Sequence, residues 1–251
     1  MTIYRHLAEI YDHLMIHVDY PQWVDYIQDI LLTLYPEKIF DRILDCSCGT
    51  ASFLNLWNQA SDPLLIGSDL SPDMLRIAQT KKPPIPLIRA DMMDLPFRHR
   101  FNLILCLYDS FNYLLKIDDI LLFLHSAEQA LQPEGILIFD VTTSTNCLRY
   151  FQNEIDNSSI GSIAYQRKSH YDSQTMIQYN HFVLNLPHQV IRETHIQQVY
   201  PIRILRNTIK KSRLIPIKDY GDFSFKPGSE NSERIHFILQ KPPSQSQGAI
   251  Q

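Results

Sequence analysis

From residue 42 onward, short and nearly continuous apolar runs alternate with stretches of helical periodicity, and this alternation leaves few folds open to the chain. The runs are Ile43 to Cys46, Leu64 to Ser68, Leu87 to Ala90, Leu103 to Leu107 and Ile136 to Val141. Runs that lack an in-and-out alternation suit parallel strands buried on both faces. Between them Phe53, Leu54 and Trp57, then Met74, Leu75 and Ala78, then Ile120, Leu121, Leu124, Ala127 and Leu131 recur at helical spacing. Ser71-Pro72 supplies a cap and a first-position proline for the second of these helices, and Asp118 or Asp119 can cap the third. Strand and helix in repetition predict an α/β fold: a Rossmann-like, doubly wound, mostly parallel sheet with right-handed crossovers. Ligands of such sheets bind at the carboxyl ends of the strands.

The flanking segments read differently. Residues Tyr4 to Leu34 are helical, with Leu7, Tyr11 and Leu14 in one helix and Trp23, Ile27, Ile30 and Leu31 in a second that starts at Pro21. Their density of aromatic side chains suits a helical lid. After Val141 a polar, irregular stretch, Leu148 to Ile163, gives way to three runs of period-two character: Ile163 to Tyr171, Thr175 to Leu186 and Gln189 to Tyr200. These predict an antiparallel β-meander inserted after the fifth strand, with Glu193, His195 and Gln197 on one face of its last strand. A helix over 202–213 carries Arg203, Arg206, Lys210 and Arg213 as a basic stripe, and Leu214 to Lys218 and Arg234 to Lys241 complete the sheet. The whole is read as one domain over 1–241, divided into lid (1–38), core (39–141), inserted strands (142–200) and last helix and strands (201–241), with a disordered tail over 242–251.

A net charge of −4 gives no general attraction to nucleic acid or to anionic membrane. The four cysteines, Cys46, Cys48, Cys106 and Cys147, form no spaced framework and suit a reducing, cytoplasmic setting. Cys46 and Cys48 lack the second close pair of a zinc site, so no metal is expected. No apolar run is long enough to span a bilayer, which takes roughly 18 residues.

The stretch Ile43 to Leu54, Ile-Leu-Asp-Cys-Ser-Cys-Gly-Thr-Ala-Ser-Phe-Leu, is a strand, an acidic residue, a tight turn and a helix start. A dinucleotide fold would place glycine at 47, 49 and 52, but Ser47, Gly49 and Ser52 stand there, and no Gly-Lys-Ser/Thr follows. Asp45 sits at the turn, Asp69 ends the second strand where an acidic side chain can accept from ribose hydroxyls, and Asp91 with Met92 ends the third, suited to an adenine ring. Three carboxylates would repel a pyrophosphate and favour a cationic ligand that carries an adenosine.

Ile-Leu-Asp-Cys-Ser-Cys-Gly-Thr-Ala, Ile-Gly-Ser-Asp-Leu-Ser-Pro-Asp-Met-Leu, Arg-Ala-Asp-Met-Met-Asp-Leu-Pro-Phe and Leu-Gln-Pro-Glu-Gly-Ile-Leu-Ile-Phe-Asp, in that order, resemble the successive motifs of class I S-adenosylmethionine-dependent methyltransferases. The lid, the Tyr-Asp-Ser-Phe-Asn-Tyr-Leu after the fourth strand and the inserted strands are similar to the small-molecule branch, which includes glycine and sugar-amine N-methyltransferases. The resemblance implies that S-adenosyl-L-methionine is the cofactor. It also implies that Asp45, Ser47, Cys48 and Gly49 surround the methionine part, Asp69 and Leu70 the ribose, and Asp91 and Met92 the adenine. Cys106 would offer its carbonyl to the amino group, and Tyr11 would close the pocket from the lid. Ser47 and Ala51 depart from the glycines of most of the family.

Tyr108, Asp109 and Asn112 follow the fourth strand, and His195 can reach down from the meander, so these four are the candidate catalytic residues. Direct in-line methyl transfer to a small molecule, at nitrogen, is the expected reaction. The alternatives are a tRNA or rRNA methyltransferase that uses the basic stripe, and a non-catalytic adenosyl-ligand-binding protein. The expected partner is a small-molecule substrate, not nucleic acid or membrane, and the meander can close a pocket or build a homodimer interface.

Overall fold

The computed structural model describes residues 4–57 and 63–244. Five parallel strands, β1 (Arg42–Asp45), β2 (Leu64–Asp69), β3 (Leu87–Arg89), β4 (Phe101–Cys106) and β5 (Leu131–Thr142), lie in the order β3-β2-β1-β4-β5. A second sheet is formed by β6 (Glu154–Ile160), β7 (Ile163–Asp172), β8 (Ile177–Leu186) and β9 (Gln189–Gln198), all antiparallel to their neighbours. Beyond β5 the main sheet is completed by β10 (Ile215–Gly221) and β11 (Arg234–Gln240), with β11 antiparallel to both β5 and β10. The strand order reverses between β1 and β4, and the crevice at their carboxyl ends is where a doubly wound sheet takes its ligand.

Alternate residues of the central strands enter two different cores, which is why the runs are continuously apolar. Leu44, Ile104 and Leu137 pack with Phe123 and Leu124 of α5 (Ile117–Ala130) and Leu205 of α7 (Ile202–Ile209). Ile43, Leu103 and Ile136 face the other way, onto Ile27 and Ile30 of α2 (Tyr20–Leu34) and Phe53 and Leu54 of α3 (Ser52–Leu56).

The lid is less regular than the sequence predicts. A 3-10 turn, Leu7–Ile10, runs into the short α1 (Tyr11–Leu14), and α2 follows after a break. Asp19 caps α2 by accepting the Gln22 N–H at 2.9 Å, so Pro21 is its second residue and not its first. Leu7 and Ile10 pack on Tyr165 of β7 and Leu184 of β8, which joins the lid to the second sheet.

Other boundaries also differ from expectation. The cap of α4 (Pro72–Ala78) is Ser71, which accepts the Met74 N–H at 3.3 Å, as predicted. At α5 the cap position is Lys116, and Asp119 reaches back to accept its N–H at 3.1 Å. The polar stretch read as irregular holds the end of α6 (Ser144–Tyr150) and all of β6, so the meander has four strands where three were expected. β6 is an edge strand with almost every residue exposed, and such a strand has no apolar face to announce it. The last helix stops at Ile209. Among the described residues no helix is long and apolar enough to cross a membrane, and no cluster of His, Cys, Asp or Glu is arranged to hold a metal ion. Most of the tail expected to be disordered, 245–251, lies outside the described residues.

Candidate active site

The turn after β1 is built around Asp69, the last residue of β2. Its two carboxylate oxygens accept the Gly49 N–H and the Ser71 N–H, each at 2.8 Å. One backbone donor on each oxygen fixes the plane of the carboxylate and leaves further lone pairs for hydroxyl donors. Burial pushes the Asp69 carboxyl up, against the pull of these backbone N–H groups. Gly49 has φ +52°, and its Cα faces the lid: a Cβ there would stand 3.9 Å from Cε1 of Tyr11. Ala51 occupies a left-handed position, φ +60°, where a Cβ costs roughly 1–2 kcal/mol. Asp45 is buried and accepts the Ser47 N–H at 3.1 Å. Burial raises its carboxyl to about 7; the Ser47 bond opposes the rise, and the charges of Asp69 and Asp140 add to it.

Cys48 and Cys106 are also buried, and the Cys106 thiol stands 3.6 Å from Ser47 Oγ and 3.8 Å from Met92 Sδ, so one side chain touches both the turn and the end of the β3 segment. Asp91 lies just past β3 and accepts the Met93 N–H at 2.9 Å, while Leu70 is half exposed and its carbonyl accepts from Arg89. Contacts therefore join the sequence-selected residues of the β1 and β2 ends around one turn, with Met92 reached through Cys106. The lid is fastened over it: Asp12 accepts from Thr50 Oγ1 at 2.5 Å and Ser52 Oγ at 3.1 Å and pairs with Lys81 at 2.7 Å.

At the end of β4 two successive non-glycine residues, Tyr108 (φ +61°) and Asp109 (φ +59°), are left-handed. Such strain costs of order 1–3 kcal/mol per residue and persists only where the surroundings hold it. Here the Asp109 N–H donates to Asp140 at 3.1 Å, Gln197 donates to the Asp109 carbonyl at 3.2 Å, and the Arg234 guanidinium bridges the carboxylates of Asp109 and Asp140. Burial pushes the Asp140 carboxyl up and Arg234 pulls it back. The Tyr108 ring packs on Trp23 at 4.3 Å and Tyr20 at 5.1 Å between centroids, and its buried hydroxyl has no hydrogen-bond partner among the described residues.

Asn112 is turned away from the crevice. Its amide nitrogen donates to the Gln198 carbonyl at 2.8 Å and its oxygen accepts the Thr142 N–H at 3.0 Å, so it ties β9 to β5. His195 lies on the inner face of β9 with 2 % of its surface exposed, hydrogen-bonded to Tyr113 at 2.8 Å and to Glu193 at 3.1 Å. The face of β9 that carries Glu193, His195 and Gln197 is thus covered.

A cavity of about 830 Å³ lies beside the crevice. Its walls are Tyr4, Tyr11 and Trp23 from the lid and α2, Tyr108, Asp109 and Tyr113 after β4, Asn146 and Arg149 from α6, and Gln178, Asn180 and His195 from the second sheet. Sequence reasoning passes over Tyr4, Asp140, Arg234 and the α6 residues as site residues. Asp140 lies near the carboxyl end of an apolar strand, a signal close to the one that marks Asp69, whereas Arg234 meets partners 94 and 125 positions away and has no local signature. On α7, Arg206 is committed to Asp219, with bonds of 3.0 and 2.7 Å, and to the Gly228 carbonyl at 2.9 Å.

Comparison with known proteins gives concordant results. Residues 43–135 match the family model described as "Methyltransferase domain". The chain is 32% identical over 248 residues to the Bacillus subtilis protein YqeM, named as a candidate methyltransferase, with 95% of this chain and 97% of that protein covered. It is 27% identical over 135 residues to the dTDP-4-amino-2,3,4,6-tetradeoxy-D-glucose N,N-dimethyltransferase of Saccharopolyspora spinosa, covering 53% of each. Its fold superposes on the crystal structure of an S-adenosylmethionine-dependent methyltransferase from Clostridium acetobutylicum with a TM-score of 0.77, at 22% identity and with 95% and 99% of the two chains covered.

Proposed function

The chain belongs to the S-adenosylmethionine-dependent methyltransferases, and from that premise we propose that it methylates an amine of a small polar molecule held in the cavity beside the crevice. The observation that carries this reading is the make-up of the cavity: aromatic faces beside the crevice, amide side chains on the far wall, and charged side chains of both signs, among them Asp19, Glu154, Arg149 and Arg167, with Asp109 already paired to Arg234. Aromatic faces favour a cationic amine, and amides suit a hydroxylated body. The Saccharopolyspora relative, named for an amino-sugar acceptor, supports nitrogen. The commitment of Arg206 to Asp219 also favours a small molecule over RNA, since it removes a charge from the basic stripe.

The donor set fits the cofactor. Asp69, its plane fixed by two backbone N–H groups, would accept from ribose hydroxyls, with Leu70 beside it; Asp91 and Met92 would hold the adenine. Asp45, Ser47, Cys48, Gly49 and Cys106 would surround the methionine part under Tyr11. The cofactor supplies a sulfonium methyl that is already activated. The remaining task of the chain is alignment and exclusion of water, and proximity of this kind contributes roughly 7–11 kcal/mol. Tyr108 and Asp109 form the wall between the two compartments, His195 acts from behind it, and Asn112 holds the meander in place and does not touch substrate.

The reading is tested by incubating the protein with methyl-labelled cofactor and separate panels of amino sugars, their hydroxyl analogues and tRNA transcripts. Label is expected in the amino sugars; label in the hydroxyl compounds or the tRNA alone would overturn it. The raised Asp45 carboxyl gives a second expectation. A cationic ligand favours ionised Asp45, so the affinity for S-adenosylmethionine is full above about pH 7 and falls by up to roughly tenfold per pH unit below it. Calorimetry across that range should show the fall in the natural protein and a flatter profile in Asp45→Asn.

A further inference from the structure

Four polar groups, three of them in the cavity wall, are joined end to end. The hydroxyls of Tyr4 and Tyr113 are 2.6 Å apart, Tyr113 is 2.8 Å from Nδ1 of His195, and Nε2 of His195 is 3.1 Å from Glu193. Tyr4, Tyr113 and His195 all line the cavity. Glu193 closes the chain on itself, because its carboxylate also accepts the backbone N–H groups of Tyr4 and His6. An ionised Glu193 can only accept, so the hydrogen on the imidazole sits on Nε2 and leaves Nδ1 to accept from Tyr113. The Tyr113 oxygen then accepts from Tyr4, whose own lone pairs remain for a donor in the cavity. Direction is thereby built into the line.

The geometry points to a proton relay from the acceptor amine through Tyr4 and Tyr113 to His195, with Glu193 as the residue that sets the tautomer. This rests on the reading of the acceptor as an amine. An amine that enters as an ammonium has no lone pair until it loses a proton. That proton passes to Tyr4 Oη as the Tyr4 hydroxyl proton passes to Tyr113 and the Tyr113 hydroxyl proton to Nδ1 of His195. Three bonds to hydrogen break and three form, both phenols end neutral, and the charge rests on an imidazolium beside the Glu193 carboxylate. Methyl transfer then makes the product ammonium, and once it has left, one proton per turnover returns from Nδ1 through Tyr113 and Tyr4 to water in the cavity, which restores the starting hydrogen bonds. Burial keeps both phenols protonated, which suits groups that hand protons on without becoming ionised. The Glu193 carboxyl is held low despite the opposing effect of burial, by His195 and by the Tyr4 and His6 N–H groups.

The surroundings of His195 contain few competing charges. Its own strand contributes Glu193, the lid Tyr4 and Tyr11, and the segment after β4 Tyr113 and Asp109; opposite it on β8 stand Asn180 and Phe182, which carry none, and beyond Phe182 on β7 stands Arg167, paired with Asp156. Tyr4 and Tyr113 are positioned to touch the proton in flight, whereas Glu193 is a positioning residue.

The test is the pH dependence of kcat with a methylated amine from the amino-sugar panel. In the natural protein kcat is expected to level off toward high pH. In Tyr113→Phe and His195→Gln it should be lower by roughly 100-fold near neutrality and climb about tenfold per pH unit, because only bulk solvent takes the proton. Glu193→Gln should lower kcat by less than His195→Gln, since its amide oxygen can still accept from Nε2 but carries no charge. Variants that keep the plateau overturn the relay. Calorimetry with S-adenosylhomocysteine should give unchanged affinity in Tyr113→Phe, which separates loss of the relay from loss of the fold. A readout independent of the acceptor is the imidazole 15N spectrum of the S-adenosylhomocysteine complex: the Nε2–H tautomer of His195 is expected, and an Nδ1–H tautomer overturns the relay. Should no amine accept methyl, the proposed function fails on the panel while the spectrum still decides the relay.

Discussion

Asp69→Ala is expected to lower the affinity for S-adenosylhomocysteine by 100-fold or more, to the limit of calorimetric detection. Two hydrogen bonds from ribose hydroxyls to a carboxylate are worth about 1.5–3 kcal/mol each. The loss goes further than those two bonds, because the Gly49 N–H and the Ser71 N–H would be left without their acceptor and the turn itself would lose its template. Asp69→Asn separates the two contributions. Its amide oxygen can keep one backbone donor while its NH2 group opposes the other, so an intermediate loss is expected. Unchanged affinity in Asp69→Ala would remove Asp69 from the cofactor site and with it the assignment of the whole crevice.

Arg234→Met is expected to destabilise the protein by about 3–5 kcal/mol, the usual cost of stripping a buried charge of its partner. For a chain of this size that corresponds to a fall in Tm of roughly 6–20 °C. Arg234 neutralises Asp140, which is fully buried, and Asp109, and its guanidinium lies 5.0 Å from the Trp23 ring. Adding Asp140→Asn should recover part of the loss, since the variant pair no longer buries an unpaired carboxylate. Activity is expected to fall further than stability at permissive temperature, because Tyr108 and Asp109 lose the anchor that holds them left-handed. A thermal melt of Arg234→Met within about 2 °C of the natural protein would contradict this account.

The difference between Asp69 and Arg234 explains how much could be read in the sequence. Asp69 stands at a fixed short interval from Gly49, at the end of an apolar run, so spacing and strand pattern find it without knowledge of the fold. The parallel sheet, the glycine turn and the alternating face of β9 are legible for the same reason: each is a local periodicity imposed by burial. Arg234 and Asp140 meet only because β11 pairs with β5. No pattern within either strand records that. The edge strand β6 escaped for an opposite cause, since a strand exposed on both faces carries no alternation. Asn112 shows a third kind of shortfall. Its position after β4 is that of a substrate contact, yet both ends of its amide are taken by backbone groups from β5 and β9, which only the fold brings near.

The segment from Tyr4 to Asp12 is held at both ends by different parts of the molecule: Glu193 of the second sheet grips the Tyr4 and His6 N–H groups, and Thr50, Ser52 and Lys81 of the main sheet's crevice grip Asp12. One strap therefore seals two compartments. Tyr11 lies over Gly49, where on the proposed assignment it would bar the way out of the cofactor site, and Tyr4 lines the cavity proposed for the acceptor. If both ligands bind as proposed, exchange of the one and admission of the other draw on the same unfastening of that strap.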